Sequence, residues 1–542
     1  MVISVARELG LPEQARMVAA LRQALQAQQG GAGVLQIETH ISFVLVASDF
    51  AYKFKKALNP GFLDYTTLAR RRHFCEEELR LNRRLAPALY LDVVPVTGTP
   101  DAPRFGGAGA VLDCAVRMRV FAQEALWDRI AARAALQASD VDALVEPLCT
   151  FHRDAAVADA KGALGTAAQV RAPMLDNLVA LEALLPGASD RARLDRLRRW
   201  EAVAFAALQG AFAERLRAGR VRECHGDLHL GNVAQVDGQP TVFDCIEFND
   251  DFRWIDVMSD LAFIAMDLQA HGRADLAHRL VNAYLERSGD HAGMRVLRYY
   301  TVHRALVRAK VAALRAAQET TAAEAGSAHP YLDLALSITQ APAPALLITH
   351  GPSGSGKTTL TQGLLETLGA IRIRADVERK RLFGLDPLAR SGAALHAGLY
   401  SRSATAATYE RLCELARPVL DGGCSVVLDA TFLRRAQRDG ARQLAAALGL
   451  RFVILDFEAD EQTLRERVGR RGARGDDASE ADLAVLDAQL CEAEPLAPDE
   501  RAAVFRCRPL AAVADDPPRA DWSALLRTIV GPIPQSGTAQ VG

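Results

Sequence analysis

In the stretch "ECHGDLHLGNV" (223–233), His225, Asp227 and Asn232 stand at the spacing H-x-D-x-x-x-x-N, and a further carboxylate, Asp244, closes "VFD" shortly afterwards. A carboxylate that accepts a hydroxyl proton, followed by amide and carboxylate oxygens suited to a hard divalent cation, is the equipment of phosphoryl transfer. On this reading Asp227 takes the proton of an acceptor hydroxyl, Asn232 and Asp244 hold Mg2+, and His225 braces the loop. Such a site also needs a cation on the phosphate oxygens, and "YKFKK" supplies Lys53 and Lys55. The two alternate with Tyr52 and Phe54, so on a strand they point to one face and spacing does not choose between them. Lys53, nearer the hairpin, is favoured. Its expected partner is a helix carboxylate. Of Glu76, Glu77 and Glu78, about 100° apart in turn, Glu78 falls in the apolar stripe of Phe74, Cys75, Leu79, Leu81 and Leu85, with Glu77 second.

A second set of residues begins at "GPSGSGKTTL" (351–360), which matches G-x-x-x-x-G-K-[ST]. Glycines let the backbone N–H groups turn inward on phosphate, and the following helix adds partial positive charge at its amino terminus. Gly351, Ser353, Gly354, Ser355 and Gly356 form the loop, Lys357 reaches the β- and γ-phosphates, and the Thr358 hydroxyl, with Thr359 next to it, faces Mg2+. Asp429, at the end of "SVVLDAT", is a candidate for the same ion's water shell.

The elements that must position these groups can be read from periodicity. "THISFVLVASDFAYKFKK" (39–56) has two short apolar runs around a turn, a hairpin signal, and residues 64–87 have helical period and a Pro stop. "LYLDVVPVTG" and "AVLDCAVRMRV" read as strands. Residues 1–30 read as polar helix and 122–222 as helical throughout. Residues 233–244 read as two strands about an Asp-Gly turn, and helices fill 254–338. From 346 onward strands alternate with helices ("LLITHG", "AIRIRAD", "CSVVLDAT", "RFVILDF"), which implies a parallel sheet covered by helices on both faces.

At 542 residues the chain needs more than one hydrophobic core. The expected division is a helical segment over 1–34, a first domain over 35–338, a linker over 339–345, a second domain over 346–510 and a flexible tail over 511–542. With 50% hydrophobic residues, 24% charged and a net charge of -2, bulk charge argues against nucleic acid as a partner. No apolar run approaches the roughly 20 residues that span a bilayer, and Arg and Glu interrupt the start where a signal peptide would be apolar, so no membrane is expected and the cytoplasm is the expected location. Nine cysteines without a C-x-x-C pair point to free thiols. Only seven of the 64 basic residues are lysine, so Lys53, Lys55, Lys56 and Lys357 stand out as compact charges in an arginine-rich chain.

"HGDLHLGNV", "VFDCIEFND" and "IDVMSDLAF" together resemble the aminoglycoside phosphotransferase family, small-molecule kinases with a protein-kinase-like α+β fold, over about 35–330. "GPSGSGKT" with "RADVERKRLFG" resembles the P-loop kinases of the polynucleotide kinase, gluconate kinase and zeta-toxin type over about 346–508. That second resemblance implies that Asp376 activates an acceptor hydroxyl and Arg379 orients the substrate. It also implies a lid over 464–490, with Arg467 and Arg470 the favoured arginines among Arg465, Arg467, Arg470 and Arg471. The chain as a whole resembles bacterial proteins in which the two domains are fused. The resemblance implies ATP and Mg2+ as cofactors and a small-molecule hydroxyl compound as substrate. The acidic run Glu247, Asp250, Asp251, Asp256 and Asp260 offers a possible seat for a cationic substrate, against the blander reading of solvated or helix-capping carboxylates.

Overall fold

The computed structural model describes residues 8–29, 33–61, 63–318, 328–340, 342–386, 389, 401–474, 478–507 and 520–530. The strands are β1 (Leu35–Glu38), β2 (Ser42–Val46), β3 (Phe50–Lys55), β4 (Tyr90–Thr99), β5 (Ala102–Phe105), β6 (Val111–Arg119), β7 (Val221–Glu223), β8 (Val233–Val236), β9 (Gln239–Val242), β10 (Trp254–Asp256), β11 (Ala345–His350), β12 (Ile371–Arg374), β13 (Val426–Asp429), β14 (Arg451–Asp456) and β15 (Val504–Arg506). The helices are α1 (Leu11–Gln28), α2 (Leu68–Asn82), α3 (Trp127–Ala132), α4 (Ala138–Asp154), α5 (Ala167–Leu184), α6 (Ala188–Arg217), α7 (Asp250–Arg253), α8 (Val257–Ala270) and α9 (Ala274–Ser288). They continue with α10 (Met294–Gln318), α11 (His329–Thr339), α12 (Lys357–Leu368), α13 (Ala375–Leu382), α14 (Arg402–Asp421), α15 (Arg435–Ala447), α16 (Glu461–Arg474), α17 (Leu483–Glu492) and α18 (Ser523–Val530).

Contacts divide the chain into two units: residues 1–173 with 212–267, and residues 174–211 with 268–542. The first unit carries an antiparallel six-stranded sheet in the order β1-β2-β3-β6-β4-β5. Strand β3 pairs with β2 and β6, placing Lys53 opposite Val44 and Val116 in a central strand. Met17, Val18, Leu21 and Leu25 recur along α1 and share one core with Leu45, Phe54 and Val96 of the sheet. Helix α2 starts at the Thr67 cap, whose hydroxyl accepts the Arg70 N–H. Its Cys75 belongs to a second core with Tyr90, Cys114 and Val116, so Glu78 comes to lie beside the sheet. The Asp-Gly hairpin forms as its sequence predicts, with Val236 paired to Gln239.

The second unit carries a parallel five-stranded sheet in the order β12-β13-β11-β14-β15. Its inner strands β11, β13 and β14 are near-continuous apolar runs, as burial on both faces requires, whereas edge strand β12 alternates Ile and Arg; β11 at the centre feeds the glycine-rich loop and α12. The tail differs from its expected flexibility over 520–530. There Trp522, just ahead of α18, and Leu525 and Ile529 on its buried face pack with Leu360, Leu364 and Leu365 of α12; the rest of the tail lies outside the described residues. The unit also includes α9–α11, upstream of the expected linker. Among the described residues no helix is long and apolar enough to cross a membrane.

Candidate functional sites

In the first unit, the loop after β7 is anchored by Asp260 of α8, whose two carboxylate oxygens accept the His225 N–H (2.7 Å) and the Gly226 N–H (2.9 Å). Gly226 is required there: its φ is +87°, and a Cβ would stand 2.5 Å from the Phe252 carbonyl oxygen. His225 is buried, and desolvation lowers its pKa despite the carboxylates around it. The neutral imidazole accepts the Asp227 N–H at Nδ1 (3.2 Å) and donates from Nε2 to the Phe243 carbonyl (2.9 Å). His225 therefore ties the Asp227 loop to the strand end that carries Asp244, a positioning role.

Asn232 donates from Nδ2 to the Asp227 carbonyl (2.9 Å) and to its carboxylate (3.1 Å), which leaves Oδ1 as its donor atom for a cation. Asp244 has φ +64°, a left-handed conformation uncommon for a non-glycine residue, and its N–H donates to the Tyr90 hydroxyl (3.2 Å). The oxygens of Asn232 and Asp244 are hard donors of the kind that suits Mg2+.

Both lysines reach Glu78. Lys53 Nζ lies 2.8 Å from Glu78 and 2.5 Å from Asp244. Lys55 Nζ lies 2.5 Å from the other Glu78 oxygen and also meets Glu247, which accepts the Tyr65 hydroxyl (2.7 Å). Burial raises the Glu78 pKa, but the two ammonium groups outweigh it and hold the carboxyl well below its usual range. Lys53 is likewise desolvated, and Asp244 and Glu78 more than compensate, so it stays charged. Glu77, the second choice on sequence, instead pairs with Arg80 on a more exposed face. Lys53 is the lysine that joins Glu78 to Asp244, and Lys55 is an internal support.

The acidic run is not presented as a seat for a cation. Glu247, Asp256 and Asp260 are buried. Glu247 serves Lys55, Asp256 pairs with Arg215 (2.7 Å), and Asp260 holds the loop amides. Asp250 pairs with Arg253, and Asp251 accepts from Gln169 (3.1 Å). Reading along the sequence missed His229, whose Nε2 stands 3.4 Å from the Asp227 carboxylate. Its signal was the second histidine of "HGDLHLGN".

In the second unit the loop between β11 and α12 leads into a cavity of about 700 Å³. Gly351 has φ +139°, and a Cβ there would lie 2.6 Å from the Phe457 carbonyl oxygen, so the tight exit from β11 excludes a side chain. Ser353, Gly354, Gly356, Lys357, Thr358 and Thr359 line the cavity, while Ser355 is buried behind them and its Oγ accepts from Lys357 (3.4 Å). Lys357 Nζ also donates to the Gly351 (2.9 Å) and Pro352 (2.7 Å) carbonyls. Burial lowers its pKa to about 8, against the pull of Asp429 and Asp376. The Thr358 hydroxyl donates to Asp429 (2.7 Å), so the two predicted metal-side oxygens are neighbours and fit a Mg2+ site built partly through water.

Asp376 and Arg379 lie on the first turns of α13, 3.5 Å apart, and both line the cavity. Asp376 is not the helix cap, which is Arg374. Of the lid arginines, Arg467, Arg470 and Arg471 line the cavity, whereas Arg465 pairs with Glu461 and Asp487. Sequence reading missed Arg374, Arg402, Tyr409, Arg434 and Gln489, which also line it. Arg374 and Arg402 flank recognisable signals, a strand end and a helix start. The others arrive only through tertiary packing.

Helix α9 meets this sheet along one face. His278 Nδ1 lies 2.7 Å from the Glu366 carbonyl, and Asn282 donates to the Ala370 carbonyl (2.7 Å) and accepts the Arg372 N–H (2.8 Å). Glu286 pairs with Arg374 (3.1 Å). The Asn282 carboxamide thus satisfies edge strand β12 as a neighbouring strand would.

Comparison with known proteins matches a "Phosphotransferase enzyme family" model to residues 67–300 and an "AAA domain" model to residues 346–496. The uncharacterized protein Rv2004c of Mycobacterium tuberculosis is 32% identical over 458 residues, 83% of this chain and 89% of that protein. A choline/ethanolamine kinase family protein from Mesorhizobium loti covers 60% of this chain and 99% of its own at 15% identity, with TM-score 0.35. A gluconokinase from Sinorhizobium meliloti 1021 covers 31% of this chain and 83% of its own at 23% identity, with TM-score 0.21. With a kinase-like phosphotransferase fold ahead of a P-loop domain, the chain is a kinase, and it belongs to the same protein family as the mycobacterial protein Rv2004c.

Proposed function

We propose that the chain is a bifunctional phosphotransferase that moves the γ-phosphate of ATP to hydroxyl groups of small molecules at two separate ATP- and Mg2+-binding sites, one in each unit, in the cytoplasm. The observation that carries the reading is a repeated convergence. Lys53, Asp244, Asn232 and Asp227 form one hydrogen-bonded neighbourhood with Glu78 and His225, and Lys357, Thr358, Asp429 and Asp376 line or adjoin another around the P-loop.

In the first site Lys53 neutralises phosphate oxygens, Glu78 fixes that lysine, and Asp227 accepts the proton of the acceptor hydroxyl. Asn232 and Asp244 hold the metal, which shields phosphate charge when bound. In the second site the amides of Ser353 to Thr359 and the Lys357 ammonium bind the phosphates. Asp376 accepts the hydroxyl proton there, Arg379 orients the acceptor, and the lid arginines stabilise charge on the moving phosphoryl group.

The test is ATP consumption with product identification by mass across sugars, nucleosides, polyols and aminoglycosides, for wild type, Asp227→Ala and Lys357→Ala. Each substitution is expected to remove a different product or step. If Asp227→Ala loses nothing, the first site is not a second active centre. If wild type phosphorylates nothing while binding ATP, the chain is a nucleotide-sensing protein and the phosphotransferase reading is withdrawn.

A further inference from the structure

One P-loop contact comes from outside the loop and its motif. Gln489, on α17, accepts the Ser353 N–H at its carboxamide oxygen (2.8 Å). Ser353 stands next to the two carbonyls that receive the Lys357 ammonium, those of Gly351 and Pro352. A P-loop lysine reaches the β- and γ-phosphates, so the Ser353 amide lies at the terminal-phosphate end of the loop. Gln489 is half-buried and lines the cavity with Val485 and Glu492, the same face of α17.

This position is built. Leu486 of α17 packs with Leu464 and Val468 of α16 in a small apolar cluster. The α16 backbone sits against the loop so closely that a Cβ on Gly354 would come within 2.9 Å of the Leu464 carbonyl oxygen. Arg467 of α16 donates to the Gly354 carbonyl (3.2 Å). Two helices are thus fixed to the loop, and one of them delivers a neutral carboxamide among cations. A carboxamide carries an acceptor and two donors on the same planar group. With its oxygen on the Ser353 amide, its Nε2 hydrogens are available to a second acceptor beside that amide, and a phosphoryl oxygen is the acceptor the loop is shaped to bring there.

We propose that Gln489 is the residue through which the P-loop site distinguishes a nucleoside triphosphate from a diphosphate: Oε1 holds the Ser353 amide in place while Nε2 donates to a terminal phosphoryl oxygen. This inference rests on nucleotide binding at the P-loop. Glu fits the same space and keeps the acceptor for Ser353, but it loses the donor and adds a negative charge facing the phosphate. A role confined to holding the loop survives Gln489→Glu; a role in reading the terminal phosphate does not.

The experiment is calorimetric titration of the full chain with a non-hydrolysable ATP analogue and with ADP, both with Mg2+, for wild type, Gln489→Glu and Gln489→Ala. The Lys357→Ala chain serves as the blank that isolates binding at the P-loop. Gln489→Glu is expected to keep ADP binding while its preference for the triphosphate falls about tenfold or more, the size of one hydrogen bond to a charged group. Gln489→Ala is expected to lose the preference in the same direction. The proposal is overturned if either variant keeps the wild-type ratio of the two affinities, or if Gln489→Glu weakens both nucleotides equally. Absence of any Lys357-dependent binding in wild type removes the nucleotide reading itself, a result distinct from wild-type binding with no role for residue 489.

Discussion

The Lys357 ammonium is the group whose charge state decides most at the residue scale. Burial brings its pKa to about 8, below that of a free lysine, so the uncomplexed loop holds the proton below that pH and loses it above. A bound polyphosphate favours the charged form and raises the value again. Nucleotide affinity at the P-loop is therefore expected to be flat below about pH 8 and to fall above it, approaching tenfold per pH unit, with proton uptake on binding. Titrations at pH 7 and 9 in buffers of different ionisation enthalpy measure both effects; an affinity that does not change over that range contradicts the assignment. At Gly351, substitution by Ala combines a left-handed backbone with a carbonyl at 2.6 Å. A cost of about 1–3 kcal/mol from strain alone is expected, visible as a lower melting temperature together with lost nucleotide binding.

Elements decide what a single residue can do, and β3 shows it with two lysines on one face. Lys53→Met is expected to abolish transfer at the first site and to cost less stability than the same change at Lys55, since the Lys53 side chain is 14% exposed against 0% for Lys55 and its partner Asp244 is itself 43% exposed. Lys55→Met leaves Glu247 and half of Glu78 buried without a cation and is expected to cost about 3–5 kcal/mol. Chemical denaturation alongside activity separates the two; equal destabilisation by both would refute the division of labour. Much of this was legible beforehand. The period-2 pattern put both lysines on one face, and the helical stripe chose Glu78 over Glu77. The choice between the lysines was not legible, because it depends on Asp244 and Glu247, which the chain brings back from far along the sequence. The acidic run was ambiguous for the same reason: local sequence shows Glu247, Asp256 and Asp260 as a charge cluster, and only the fold shows each pointing at its own buried partner. The P-loop was clear because its glycines, lysine and helix start are contiguous. Gln489 and Arg434 were invisible because no local pattern ties them to the loop.

At the scale of the whole molecule, contacts group α9–α11 with the parallel sheet, although α9 lies inside the stretch matched by the phosphotransferase family model. A fragment beginning at residue 342 would expose the β12 edge and strip Glu286 from Arg374. It is expected to be less stable than one beginning at 268, which keeps α9, and to aggregate through the uncovered edge. Comparing solubility and melting temperature of the two fragments checks this. In the full chain, Asn282→Ala is expected to leave the Ala370 carbonyl and Arg372 N–H without their side-chain partner, costing about 1–3 kcal/mol for each group left unsatisfied. The Asn282 carboxamide also bears on how such a gene can be rearranged. A recombination event that cuts between the two family matches separates a helix from the strand it completes, so a free-standing descendant of the P-loop half would have to acquire another cover for β12. The join between the halves is thus held by a requirement of folding, independent of any advantage in keeping the two domains on one chain.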